Sequence, residues 1–175
     1  MAAASFPHRG VFALRFAANV FFGSTIAWAT LRILEVTNPI WAVASMIASA
    51  DPKVDVARHM FRSRIINVLV GCVVGLIFIS IGGSSEWKLP IALSVTVLVS
   101  SYLVRIPTMW RQAPITAAIV IASGLTHQST LTGIEFGLRK VAEVVFGCLV
   151  GVVVSWLMAR IWPLAKSEQE AGDPD

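Results

Sequence analysis

Six stretches of this chain carry no Asp, Glu, Lys or Arg: residues 16–31, 36–50, 65–85, 89–104, 112–134 and 144–159. The charges are gathered between them. Crossing the hydrocarbon of a bilayer takes about 20 apolar residues, with a working range of about 17–25. Two stretches meet that length outright, and the other four approach it once their flanks are counted. Hydrophobic residues make up 56% of the 175 and charged residues 14%, where a soluble domain carries about 25% charged. A buried all-α soluble protein would need helices with polar faces, and those faces are missing. The sequence therefore predicts an all-α integral membrane protein of six transmembrane helices, over 13–34, 39–50, 62–82, 89–106, 113–126 and 136–162. A cytoplasmic N-terminus (1–12) and a disordered cytoplasmic tail (163–175) flank the membrane domain 13–162. Arg15, Arg32, Lys88, Arg105 and Arg160 lie at the ends of runs, where long cationic side chains can snorkel to the headgroups. Trp28, Trp41, Trp87, Trp110, Trp156 and Trp162 mostly lie near helix ends, the pattern of interfacial aromatic belts. His8, Arg9 and Arg15, the apolar run after them and Ala27-Trp28-Ala29 imitate a signal peptide. The run continues to Leu34, so it is expected to stay as the first helix.

The chain repeats itself. Gly71-Cys72-Val73-Val74-Gly75 returns as Gly147-Cys148-Leu149-Val150-Gly151, Pro39-Ile40 as Pro114-Ile115, and Ile47-Ala48-Ser49 as Ile121-Ala122-Ser123. Three matches in order at nearly one offset predict two copies of a three-helix unit, 13–82 and 88–162. An odd number of spans per copy makes the second enter from the opposite side, so the copies are expected to be inverted repeats. That architecture recurs in transporters, with the substrate handled near the bilayer midplane. With the N-terminus inside, the inner segments hold Arg9, Arg15, Lys53, Arg58, Arg62, Arg64, Arg105, Arg111, Arg160 and Lys166. The outer ones hold Arg32, Lys88, Arg139 and Lys140. The bias puts both termini in the cytoplasm of an inner (plasma) membrane protein.

The second and fifth helices are short, open with prolines and lead into polar linkers, Asp51-Pro52-Lys53-Val54-Asp55 and Thr126-His127-Gln128-Ser129-Thr130. Irregular backbone at membrane depth survives only against protein or a water-filled cavity, so matched interruptions in two halves point to a transport site. Ordinary interfacial loops are the other reading. Gly71 with Gly75, and Gly147 with Gly151 and Ser155, lie four residues apart on one helix face, which suits close helix packing in lipid. Extended backwards, these faces reach Asn67 and Arg64 in the first copy, and Glu143 with Arg139 or Lys140 in the second. Arg64 and Lys140 are equivalent cations, and Glu143 can neutralise Lys140 three residues away. Charges at membrane depth usually face a bundle interior or an aqueous path; orienting the helices at the interface is the alternative role. Trp41, just after Pro39, is a further candidate contact.

Other chemistry finds little footing. His8, His59 and His127 make no metal-ligand spacing, and no nucleophile-base motif or phosphate loop occurs. Cys72 and Cys148 sit mid-run as small packing residues. The net charge of +4 comes from helix ends and is no nucleic-acid signal. No cofactor, metal or catalytic group is expected.

Pro39-x-Trp41-Ala42, the Asp51-Pro52 turn and Arg64-x-x-Asn67-x-x-x-Gly71-x-x-x-Gly75 together resemble the membrane domain of the fusaric acid resistance-like superfamily. That superfamily includes the aromatic acid exporters and, more distantly, plant malate-permeable anion channels. Its hallmark resembles a proline, an aromatic pair and alanine opening the second helix, then a proline turn, an arginine, a glycine-threonine pair and glycines four apart. Here Ile40 replaces the first aromatic and Asn67-Val68 stands at Gly-Thr. Arg139-Lys140 through Glu143 to Gly147 resembles the family's second, weaker pattern, and the likeness runs over roughly 11–162. It implies efflux-type transport or conduction of small organic anions, often aromatic carboxylates. Larger relatives carry two six-helix domains, so one six-helix unit implies pairing with itself as a homodimer. A ring of Arg or Lys selects for anions, and the path is expected to be lined by Arg64, Arg62, Arg139, Lys140, Asn67, Glu143 and Trp41. The alternative is a non-transporting membrane subunit that docks a partner through its glycine-rich helices.

Overall fold

The computed structural model describes residues 6–36, 38–81, 87–103, 112–126 and 130–163. These form six α-helices and, among the described residues, no strand: α1 (Phe6–Ile33), α2 (Ile40–Ser49), α3 (Val54–Ser80), α4 (Lys88–Leu103), α5 (Gln112–Thr126) and α6 (Thr130–Ile161). At 1.5 Å per residue α1, α3 and α6 are about 42, 40 and 48 Å long, beyond the hydrocarbon thickness of about 30 Å. Their apolar parts, Gly10–Ile33, Val54–Ser80 and Ile134–Ile161, are long and apolar enough to cross a membrane. The other three helices, at about 15, 24 and 22 Å, are shorter than that thickness. Runs such as Ile65-Ile66-Asn67-Val68-Leu69-Val70 are rich in β-branched residues that would favour a strand in water. In lipid only a helix closes every backbone hydrogen bond within the segment, which overrides that preference.

The three long helices begin about two turns before the apolar stretches do. α1 starts at Phe6 rather than 13, α3 at Val54 rather than 62, and α6 at Thr130 rather than 136. The added turns are polar, with Asp55, Arg58 and His59 in α3 and Glu135 in α6. Hydropathy fades where charge begins, but helical hydrogen bonding does not. Asp55 in the first turn of α3 is a favourable charge at a helix N-terminus. Of the expected linker 51–55, Val54 and Asp55 are already helical. Of the second linker, His127, Gln128 and Ser129 lie outside the described residues. So do 104–106 of the expected fourth helix, Arg105, Trp110, Arg111, and residues 164–175 of the tail, Lys166 among them.

Because α1 starts early, Arg15 falls in its third turn and is 2% exposed. It does not snorkel. Arg32 and Arg160, in the last turns of α1 and α6, do lie at helix ends, each over the face of a tryptophan one turn back: Trp28 at 5.8 Å and Trp156 at 4.5 Å. α1 closes on Glu35 with φ 60, the Val36 N–H reaching the Leu31 carbonyl at 2.9 Å and the Glu35 N–H the Arg32 carbonyl at 3.1 Å. This left-handed cap usually falls to glycine.

The chain divides into two compact units. One holds Met1–Phe61 with Phe146–Asp175, the other Arg62–Val145, so neither coincides with one sequence copy. In the first unit α1 packs on α2, and in the second α4 packs on α5. The first unit's core is Ala27, Met46, Ala50, Val150 and Val154, with Val43, Phe146 and Met158 against it. Its tightest contact sets the C-terminal half of α6 on α2. A Cβ on Gly147 would collide with the Ala42 carbonyl, and one on Gly151 would lie 2.6 Å from Ser49 Oγ and 2.7 Å from the Met46 carbonyl. The second unit has the counterpart, α3 on α5. A Cβ on Gly71 would strike the Ala113 carbonyl, and one on Gly75 would lie 2.9 Å from Val120 Cβ. In each unit the glycine face comes from one sequence copy and the short helix from the other. The outward faces of α3 and α6 are apolar, with Leu69, Val73, Ile77, Leu149 and Val153 exposed.

These contacts predict that Gly71→Ala and Gly147→Ala each cost about 1–3 kcal/mol through overpacking. Gly10→Ala, at a helical glycine with nothing within 4 Å, is expected to stabilise the helix by up to about 1 kcal/mol. Thermal unfolding of the three variants in detergent checks the contrast.

Candidate functional site

Polar side chains inside these helices gather at three places. In the first unit the short helix α2 ends at Ser49, with Ala50 extended, and Pro52 restricts the residue before it to extended backbone. The main chain of Asp51 is thereby cut off from helical partners. Side chains from two other helices take up its groups: its N–H donates to Ser155 Oγ of α6 at 3.1 Å, and its carbonyl accepts from Asn19 Nδ2 of α1 at 3.4 Å. The Asp51 carboxylate accepts from its own Lys53 N–H at 2.7 Å, closing the turn. Asn19 and Ser155 are fully buried, and Arg15 is buried one turn from Asn19. Just above, the single Ser49 hydroxyl proton has three carbonyls in reach, those of Ser45 (2.8 Å), Met46 (3.2 Å) and Cys148 (3.3 Å), while Cys148 Sγ reaches the Ser45 carbonyl at 3.8 Å.

In the second unit Asn67 of α3 is fully buried. Its Nδ2 donates to the Ser63 carbonyl at 3.0 Å, and its Oδ1 accepts a short hydrogen bond from Ser100 Oγ of α4. Thr96, one turn before Ser100 and equally buried, returns its hydroxyl to the Ala92 carbonyl at 2.6 Å. The third place is on α6, where Lys140 Nζ donates to Glu143 Oε1 at 2.7 Å. The side chains are 21% and 8% exposed, and Glu143 Oε2 is buried with no hydrogen-bond partner.

The sequence-predicted residues fare differently. Asn67, Lys140 and Glu143 are buried or half-buried, and Arg64 is half-buried and engaged. Arg62 is exposed. Arg139 is exposed and paired with the equally exposed Glu135 at 3.4 Å. Trp41 is 38% exposed on α2. The structure brings Lys140 to Glu143 and joins Asn67 to Ser100. Arg15, Asn19, Ser100 and Ser155 were not among the candidates; the one legible signal was a charge followed by an amide one turn on, Arg15 and Asn19, inside an apolar run. Gly71, Gly75, Gly147 and Gly151 are all buried against the chain's own helices.

The described residues are all helical, with three helices long and apolar enough to cross a membrane and polar groups sequestered between helices, the pattern of a membrane protein. The family model of fusaric acid resistance protein-like sequences matches residues 26–154. The chain belongs to that family, whose members are membrane transport proteins. No curated protein and no solved structure matches it. The matched span covers the last turns of α1 and everything through Val154, so Arg15, Asn19 and Ser155 lie outside it.

Leaving a buried donor unsatisfied costs about 1–3 kcal/mol. Ser155→Ala, which removes this hydrogen bond from the part-buried Asp51 N–H, is expected to cost about 1 kcal/mol, the low end of that range. Ser94→Ala, whose hydroxyl is exposed and bonds within its own helix, should stay within about 0.5 kcal/mol of the parent. Chemical unfolding of both variants in a mild detergent provides the comparison.

Proposed function

We propose that this chain is a multi-pass membrane transporter or channel that carries small organic anions, aromatic carboxylates among them, in the direction of efflux. It works as a homodimer in the inner (plasma) membrane with both termini in the cytoplasm. Its six helices are two inverted three-helix copies, and the anion path runs past Arg64, Lys140, Asn67 and Glu143. The observation that carries this reading is a pair of cations at equivalent positions, one per copy, each half-buried at the polar end of a glycine face. Three turns of α3 link Arg64 to Gly75, and three turns of α6 link Lys140 to Gly151. Cations held inside a helical membrane protein attract anions, and membership in a transport family supplies the setting. Arg62 and Arg139, exposed within two residues of Arg64 and Lys140 along the same helices, serve as the outer attracting charges of the path. The reciprocal packing, a glycine face of one copy on the short helix of the other, is the arrangement that two inverted copies produce.

The docking alternative receives no support from the glycines. Their faces are filled by Ala42, Ser49, Ala113 and Val120 of the same chain.

The test is counterflow of radiolabelled phthalate, doubly charged at neutral pH and excluded by lipid, into proteoliposomes preloaded with phthalate. The purified protein should accumulate label, and Lys140→Ala and Arg64→Ala should each lower the rate more than tenfold, a loss of about 1.4 kcal/mol per decade. Unchanged rates in both variants would remove these residues from the path. Absence of flux, with co-purification of a second chain, would favour the docking role.

A further inference from the structure

Glu143 and its counterpart in the other copy use their polar atoms differently. Asn67 stands as far before Gly71 as Glu143 does before Gly147. Both ends of Asn67 are satisfied, by the Ser63 carbonyl and by Ser100, and its amide is neutral. Glu143 is charged, and it is half-satisfied: Oε1 is taken by Lys140 at 2.7 Å, while Oε2 is buried without a hydrogen bond. The two members of the pair are also unequally accessible. The Lys140 side chain is 21% exposed and that of Glu143 8%, so a solute approaching the pair reaches the ammonium first.

The ammonium has three N–H donors, and Glu143 occupies one of them. As it stands the pair is neutral, so a tethered carboxylate already sits on the cation that a transported carboxylate would seek. The surrounding charges do not change that balance. Among the described residues of the second unit, α5 has no ionisable side chain and α4 has only Lys88 and Tyr102. On α3, Arg62 is exposed and Arg64 is engaged elsewhere than at Glu143, whose partner is Lys140. The remaining acid, Glu135, is exposed and engaged by Arg139 at 3.4 Å.

We infer that Glu143 is a built-in competitor for the transported anion. It holds the Lys140 ammonium in the unloaded protein, yields that contact to the substrate carboxylate on loading, and retakes it on release. The inference rests on the transport reading and assigns Glu143 a role within it. A path that conducts must bind strongly enough to admit a solute and weakly enough to let it leave. A tethered rival meets both needs, because it keeps Lys140 poised while unloaded and expels the cargo afterwards.

Phthalate binding to the purified full chain in detergent, followed by isothermal titration calorimetry, tests the role together with phthalate counterflow in proteoliposomes. Glu143→Gln, nearly isosteric, should bind phthalate about tenfold more tightly and turn over more slowly, with KM and kcat falling together. Lys140→Gln should weaken binding about tenfold. Adding Glu143→Gln to Lys140→Gln should restore nothing, because the rival then has nothing to contest. Lys140→Arg should keep binding and reports on folding. Binding in Glu143→Gln that equals or falls below the parent's, while the parent transports phthalate, overturns the competitor role and leaves the transport reading standing. A parent that neither binds nor transports phthalate overturns both.

Discussion

Among the described residues, the glycines with the least room for a side chain face carbonyl oxygens. Gly147 sits against the Ala42 carbonyl and Gly71 against that of Ala113, with no room for a Cβ at either place. Much else depends on those contacts. At about 15 Å and 22 Å, α2 and α5 are shorter than the hydrocarbon layer. Burial of apolar surface does not drive helices together in lipid. What can hold a short helix against a long one is close packing, which needs residues without bulk on the facing side. The long helices α3 and α6 supply them in four-residue steps, and their other faces, with Leu69, Val73 and Ile77 on α3, remain apolar and exposed.

A short helix brings a second difficulty. Where it stops, backbone groups lose their helical partners and must find others. After α2 those groups belong to Asp51, and Ser155 and Asn19 receive them from two different helices. The same rule governs the interior polar residues of the other unit, where Asn67 and Ser100 satisfy each other between α3 and α4. Glu143 shares with Asn19 a buried side-chain oxygen that has no hydrogen bond, and differs in being an acid, with one oxygen spent on Lys140 and one in reserve. Structural polar groups tend to be saturated; a group that must exchange partners cannot be.

Much of this was legible in the sequence because lipid imposes simple rules. Uncharged stretches located all six helices, and the Gly-Cys-x-x-Gly repeat picked out the two glycine faces together with the polar residues four and seven positions before them. The helix starts were not legible: the first turns of α1, α3 and α6 are polar, and hydropathy reports solvent preference rather than backbone hydrogen bonding. Arg15 was misread for the same reason, since a start at 13 would have left it at a helix end, whereas the start at Phe6 carries it inside. Pairings such as Asn67 with Ser100 or Asp51 with Ser155 join residues far apart in the chain. Nothing local in the sequence marks Ser100 among the other serines, and Ser155 was read as a small residue continuing the glycine face rather than as a hydrogen-bond partner. The Lys140–Glu143 pair, three residues apart on one helix, was readable from spacing alone.

The inverted relation of the two copies underlies the whole proposal, and side-specific labelling tests it most directly. His59, near the start of α3, and Glu135, near the start of α6, are both exposed and lie at corresponding ends of the two glycine-bearing helices. Single His59→Cys and Glu135→Cys variants can be treated in intact cells with a membrane-impermeant maleimide, the native Cys72 and Cys148 being buried. Inverted copies predict that the cysteine at 135 reacts from outside, while that at 59 reacts only after the membrane is permeabilised. Reaction of both positions from the same side would contradict the inversion.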